Sequence, residues 1–108
     1  MLYRIGIMQK NELSKTVIEA AEASVFIRLS KLKKRNISVN GKKTSVTLEP
    51  LVWELLHDIA IEQDCHANDL CSYIYDRKNS DASLASSIRI FVMAYLNIQV
   101  KTNIEGIV

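Results

Sequence analysis

The basic residues of this chain are concentrated in one segment, where they could bind a polyanion. Residues 23–48 hold seven lysines and arginines and no acidic residue, whereas residues 1–22 are neutral and residues 49–108 carry −5. The seven are Arg28, Lys31, Lys33, Lys34, Arg35, Lys42 and Lys43. Such a local excess is typical of a surface that contacts nucleic-acid phosphates, although a solvated basic face on an ordinary helix would have the same composition.

Three polar residues in this region have the spacing needed to contact nucleic-acid bases. Lys43, Ser45 and Thr47 alternate with Val46 and Leu48, so a strand would place the three polar side chains on the face opposite the two apolar ones. Lysine donates to guanine O6 or N7, and hydroxyl groups both donate and accept. We therefore expect Lys43, Ser45 and Thr47 to contact bases.

A second set of residues is expected to contact the phosphate backbone. It comprises Lys33, Lys34, Arg35, Lys42 and Asn68. The first four supply positive charge next to the predicted strand. Asn68 is included because it begins a predicted helix, where backbone amides commonly bind anions.

Two histidines and two cysteines raise the alternatives of a metal site or a catalytic thiol. His57, Cys65, His66 and Cys71 do not follow an ordinary zinc-ligand spacing, and Cys71 falls on the inward side of a predicted helix. Cys65 and His66 are adjacent and have no recognisable oxyanion site beside them. We therefore predict no metal, no cofactor and no enzymatic activity.

The elements that must position these residues are short helices and a strand. Apolar spacing predicts helices over residues 11–34, 50–63 and 68–78, and a last helix with Asp81 or Ser83 as its N-cap. Residues 36–39 and 42–48 alternate on either side of Asn40-Gly41, a strong hairpin-turn signal. The predicted organisation is an N-terminal helical extension (1–33), a central domain (34–99) and a loose tail (100–108).

A strand in a mostly helical chain needs a partner for its edges. The chain offers at most the short segment 36–39, and isolated two-stranded ribbons are marginal in water. The same strand from a second copy, related by a two-fold axis, would form an antiparallel ribbon. We therefore predict a homodimer whose core contains Val46, Leu48, Trp53 and Leu56.

The ends of the sequence carry no sign of a membrane or secretory segment. No apolar run approaches the roughly 18 residues needed to span a bilayer, and the first ten residues do not read as a signal peptide. Two cysteines without such a signal suggest reduced thiols, so a cytoplasmic location is expected.

Several motifs in fixed order resemble a bacterial family of ribbon–helix–helix DNA-binding domains, similar to Arc and MetJ. The motifs are TSVTLE at residues 44–49, Trp53 early in the next helix, and LASSIRIFV at residues 84–92. The family usually has His-Arg where this chain has Lys42-Lys43, and it lacks an equivalent of Ala85. The resemblance covers roughly residues 34–96. It implies a dimer that places a two-stranded β-ribbon in the major groove of double-stranded DNA, as a transcriptional regulator does.

A different function remains open for the same fold. Residues 11–34 could bind a protein partner, as in an antitoxin-like module that does not depend on DNA. An enzyme is the remaining alternative, and it would lose turnover on substitution of Cys65 or His57.

Overall fold

The computed structural model describes the backbone of residues 10–28 and 31–107, and the side chains of residues 15–24 and 31–102. The elements in chain order are α1 (Lys10–Arg28), β1 (Lys33–Val39), β2 (Lys42–Leu48), α2 (Pro50–Glu62), α3 (Ala67–Arg77) and α4 (Leu84–Ile107). The chain divides into two compact units, residues 1–31 and 32–108. The described part of the first unit is α1, where Val17 and Ile18 are exposed. This mainly helical chain with a short β element confirms the predicted fold class.

The second unit begins with a hairpin of β1 and β2. Asn40 and Gly41 both have positive φ, 52° and 81°, which is the backbone of the two-residue type I′ turn. The strands pair antiparallel from Val39 opposite Lys42 to Lys33 opposite Leu48. The predicted strands are therefore confirmed, and β2 has its first partner within its own chain because the Asn-Gly turn folds β1 directly onto it.

Three helices pack against one face of this hairpin. Pro50 occupies the first turn of α2, where its missing N–H leaves no bond unmade. The helix α4 begins after Ser83, whose Oγ accepts a hydrogen bond from the Ser86 N–H at 3.0 Å, so Ser83 is the N-cap. The core comprises Ile37, Val39, Val46, Leu48, Trp53, Leu56, Ile59, Ala60, Leu70, Cys71, Ile74, Leu84, Ile88 and Val92.

Two sequence-based predictions about element ends are wrong. The helix predicted over residues 11–34 ends at Arg28, and Lys33 and Lys34 belong to β1. Pairing with Leu48 and Thr47 in the hairpin outweighs the helical spacing of the apolar residues before them. The segment 100–108, predicted to be loose, is helical as far as Ile107.

None of the helices within the described ranges is long and apolar enough to cross a membrane.

Candidate nucleic-acid interface

One face of the hairpin carries its four buried apolar residues, and the other face is entirely polar. Residues of the polar face form the cross-strand pairs Lys34–Thr47, Asn36–Ser45 and Ser38–Lys43. All six side chains are exposed, and none of the six is acidic. We call this six-residue surface the polar face. The three residues predicted to contact bases, Lys43, Ser45 and Thr47, lie on it together.

The polar face carries a set of hydrogen-bonding groups suited to base edges. It offers two ammonium groups, three hydroxyl groups and one carboxamide. A carboxamide can bind adenine through N6 and N7 at once, and lysine can donate to guanine. Asn36 and Ser38 were not predicted from the sequence to take part. The alternation in KRNISV, in which the polar Asn36 and Ser38 alternate with the buried Ile37 and Val39, is the signal that identifies them.

The cations predicted to contact phosphate divide between the two faces of the hairpin. Lys34 shares the polar face with Lys43, whereas Lys33, Arg35 and Lys42 belong to pairs on the opposite face. The Arg35 guanidinium carbon lies 5.2 Å from the centroid of the Trp53 ring. These three cations are exposed, but they point away from the predicted base-reading side chains.

The outer edge of β1 is covered by α3. The Ser38 N–H donates to Asn68 Oδ1 at 3.3 Å, and the Asn40 N–H donates to Ser72 Oγ at 3.2 Å. The side-chain Nδ2 of Asn40 also donates to Asp76 Oδ1 at 2.8 Å. The helix α3 therefore holds the hairpin by its turn and closes this part of its edge.

The outer edge of β2 has no such cover in the described part of the chain. In a type I′ hairpin the residues beside the turn, Val39 and Lys42, exchange both backbone hydrogen bonds, and bonded and non-bonded pairs then alternate. The backbone N–H and C=O groups of Lys43, Ser45 and Thr47 therefore point outward. Ser38, the cross-strand partner of Lys43, agrees with this alternation, because its backbone N–H points away from β2 and donates to Asn68 on α3.

The N-terminus of α3 is partly occupied by its own carboxylate. Asp69 Oδ2 accepts the hydrogen bond of the His66 N–H at 3.1 Å, and Asn68 uses its side-chain oxygen to bind β1. A negative charge at this helix end would repel a phosphate. Asn68 therefore has a structural role that the sequence did not reveal.

An ion pair connects the end of β2 to α4. Arg89 Nε lies 2.9 Å from Glu49 Oε1. The hydrogen bond from Arg89 lowers the pKa of Glu49 below its ordinary value of 4.5. The pair joins the TSVTLE motif to the LASSIRIFV motif across forty residues of sequence.

The four residues predicted for a dimer core are buried within one chain. Val46 and Trp53 are 4% and 7% exposed, and Leu48 and Leu56 are 0% exposed. Trp53 also donates its indole N–H to the Lys33 carbonyl at 2.9 Å, which holds the start of β1 against α2. A single chain therefore accounts for the burial of all four side chains.

The histidines and cysteines do not form a cluster. Among the described residues, no three His, Cys, Asp or Glu side chains are arranged to hold a metal ion. Burial raises the pKa of the Cys71 thiol to about 11, which keeps it protonated at neutral pH. A protonated thiol is a poor ligand and a poor nucleophile.

Comparisons with known proteins agree with this geometry. Residues 32–96 match the family model described as the ribbon–helix–helix domain. A solved structure of an uncharacterized protein from Bordetella pertussis Tohama I is similar with a TM-score of 0.59 and 26% identity. The match covers 67% of this chain and 61% of that one, so it spans less than two thirds of the solved chain. No curated protein sequence matches.

Proposed function

This chain belongs to the ribbon–helix–helix domain family, and from that premise we propose that it is a homodimeric, sequence-specific DNA-binding protein that regulates transcription. The observation that carries the proposal is the polar face, with its two cations, four neutral hydrogen-bonding groups and no carboxylate. A carboxylate-free β surface is compatible with close approach to phosphates. The proposed activity is binding in the cytoplasm, not catalysis.

The open edge of β2 supports pairing with β2 of a second copy. A two-fold axis at Ser45, the middle residue of β2, would make the pairing antiparallel and place each Lys43 opposite a Thr47. No two lysines would then face each other directly across the strands. The result is a four-stranded sheet with the two β2 strands at its centre.

The size of the major groove assigns different roles to the two strands. Strands lie about 4.8 Å apart, so in the four-stranded sheet each β1 lies about 7 Å from the two-fold axis. The major groove is about 12 Å wide, which admits the central pair of strands and leaves β1 at the rims. We therefore assign base contacts to Lys43, Ser45 and Thr47.

Phosphate contacts follow from the same dimensions. Lys34 is on the polar face of β1 and would meet the backbone at the rim. Lys33, Arg35, Lys42 and Asn68 remain candidates at the flanks of the same sheet. Among all five phosphate-contact candidates, Lys34 has the best placement, because it shares a face with the base-contacting residues.

The test compares three lysine-to-alanine variants on DNA. Duplexes selected from a random library and unselected random duplex are titrated at several salt concentrations. Lys43→Ala should reduce the preference for selected duplex roughly tenfold, because a good base contact contributes about 1–3 kcal/mol of discrimination. Lys34→Ala should weaken binding to both duplexes equally and lower the salt slope by about 0.9 for each phosphate that the protein no longer neutralises.

Lys101→Ala is the matched control, because it removes the same charge from an exposed position on α4. It should leave affinity, preference and salt slope nearly unchanged. If all three variants behave alike, the polar face does not read DNA.

The alternative function is a protein-interaction module of the antitoxin type. The exposed Val17 and Ile18 on α1, 63% and 62% accessible, favour it. Such a module would bind its protein partner with unchanged affinity after Lys43→Ala.

A further inference from the structure

The helix α4 has apolar side chains on two opposite sides. Leu84, Ile88 and Val92 are buried in the core on its inner side. On the outer side Ile90 and Met93 are 58% and 59% exposed. An apolar stripe along a helix typically packs against another element. The outer side of α4 therefore lacks a partner among the described residues.

The outer residues follow the spacing of a coiled-coil seam. Ile90, Met93, Asn97 and Val100 are separated by three, four and three residues, and all four are exposed. The same spacing continues in the sequence at residues 104 and 107, inside the bounds of α4. This is the a/d pattern of a heptad repeat, in which Ile90 and Asn97 occupy a positions and Met93 and Val100 occupy d positions. From Ile90 to Val100 the seam is about 15 Å long.

Asn97 indicates which helix fits this seam. A single asparagine at an a position of a two-stranded coiled coil typically specifies register and pairing state, at a cost in stability. A lone carboxamide on an apolar seam finds a matching donor and acceptor in an identical carboxamide across a two-fold axis. The seam residues Ile90, Met93, Asn97 and Val100 carry no charge, so they offer nothing specific to a phosphate or an acidic protein. The complementary surface is the same seam.

We propose that α4 pairs in parallel with α4 of a second copy, as a short two-stranded coiled coil in which Asn97 faces the same residue. This surface is separate from the outer edge of β2. Two different two-fold interfaces on one chain produce either a closed tetramer or an open row of dimers. The seam is shorter than the three to four heptads typical of independent coiled coils. The pairing is therefore weak and forms only at high protein concentration.

The first test measures mass by sedimentation equilibrium without DNA over a wide concentration range. Met93→Glu places a charge in the seam at an exposed position and should lower the limiting mass, by half if the wild-type assembly is a closed tetramer or a dimer and by more if it is an open row. Ile61→Glu is the matched control, because Ile61 is 63% exposed on α2 and lies outside the seam. It should leave the limiting mass unchanged.

This design separates the two interfaces. If β2 also pairs, the wild-type chain passes from dimer to tetramer or to longer rows of dimers, and Met93→Glu stops at the dimer. If β2 does not pair, the wild-type chain passes from monomer to dimer and Met93→Glu stays monomeric. Equal limiting masses for the wild-type chain and Met93→Glu would overturn the proposal in either case.

The second test locates the contact on the helix. In a Cys65→Ser background, Val100→Cys should form a disulfide-linked pair of chains on mild oxidation, because d positions face each other in a parallel coiled coil. Thr102→Cys is exposed only two residues away but points to a different side of α4. It should remain unlinked. Equal linking of both variants, or of neither, would contradict pairing through this seam.

Discussion

Trp53 distinguishes the three consecutive cations of β1 from one another. Its indole N–H binds the Lys33 carbonyl, and its ring lies beneath the Arg35 guanidinium. Strand alternation places the side chains of Lys33 and Arg35 on the side of the hairpin where Ile37 is buried, and Trp53 contacts the strand from that side. Lys34 lies between them in sequence and therefore projects from the polar face. The alternation of β1 thus decides which of three adjacent charges shares the surface that Lys43 occupies, and Trp53 contacts the residues on either side of it.

The Glu49–Arg89 ion pair makes the stability of the fold depend on whether Glu49 is ionised. Because the folded chain lowers the pKa of Glu49, the ionised carboxylate stabilises the fold above its ordinary pKa of 4.5, and this contribution is lost as pH falls through the lowered value. Glu49→Gln should therefore reduce stability by up to about 1 kcal/mol at neutral pH, as expected for a partly exposed pair. The difference from wild type should vanish in acid. Thermal melts across this pH range measure it.

Asp58→Asn provides the control for this comparison. It neutralises an exposed carboxylate on α2, the helix that follows Glu49. Its difference from wild type should be small and show no comparable loss in acid. A Glu49→Gln variant whose stability deficit persists at low pH would show that the ion pair is not the source of the effect.

At the scale of elements, the hairpin depends on its two-residue turn. Gly41 has φ of +81°, and a Cβ at this position would meet no atom within 4 Å. The cost of Gly41→Ala is therefore conformational, about 1 kcal/mol, because L-residues other than glycine disfavour this region. Chemical denaturation should report that decrease in stability. Lys42→Ala, next to the turn at a position without positive φ, should be close to neutral, and equal effects would contradict the turn assignment.

Elements set by neighbouring residues could be predicted from the sequence, whereas elements set by pairing with distant residues could not. Alternation in residues 42–48 and the Asn-Gly turn were sufficient to place Lys43, Ser45 and Thr47 on one face of a strand. The extension of β1 back to Lys33 was missed because apolar residues before it have helical spacing. Its strand state depends on pairing with Leu48, which lies fifteen residues away in sequence.

The periodicity of the sequence does not predict contacts between side chains that are far apart in the chain. Glu49 and Arg89 are forty residues apart, and nothing in their spacing predicts that they meet. Asn68 was selected as an anion contact from its place at a helix start, yet its side chain binds the backbone of β1. In both cases tertiary packing determined the partner.

At the scale of the whole molecule, the two surfaces proposed for self-association are of different kinds. The outer edge of β2 presents unpaired backbone groups, whereas the outer side of α4 presents apolar side chains. Backbone pairing fixes register through hydrogen bonds, and a coiled-coil seam fixes it through side-chain shape and Asn97. The proposed assembly thus places DNA contacts and dimer–dimer contacts on separate parts of the chain.

Amide hydrogen exchange tests the proposed pairing of β2 with itself. The amides of Ser45 and Thr47 point outward from the hairpin, so they should exchange quickly in dilute protein and become protected as the concentration rises. Thr44 and Val46 lie in the same strand, but their amides bond to β1, so they should be protected at every concentration. NMR-detected exchange resolves these neighbouring positions. The Met93→Glu variant keeps the α4 seam from contributing, so any concentration dependence that remains belongs to β2. If Ser45 and Thr47 exchange at one fast rate throughout while Thr44 and Val46 stay protected, the hairpin does not pair through this edge.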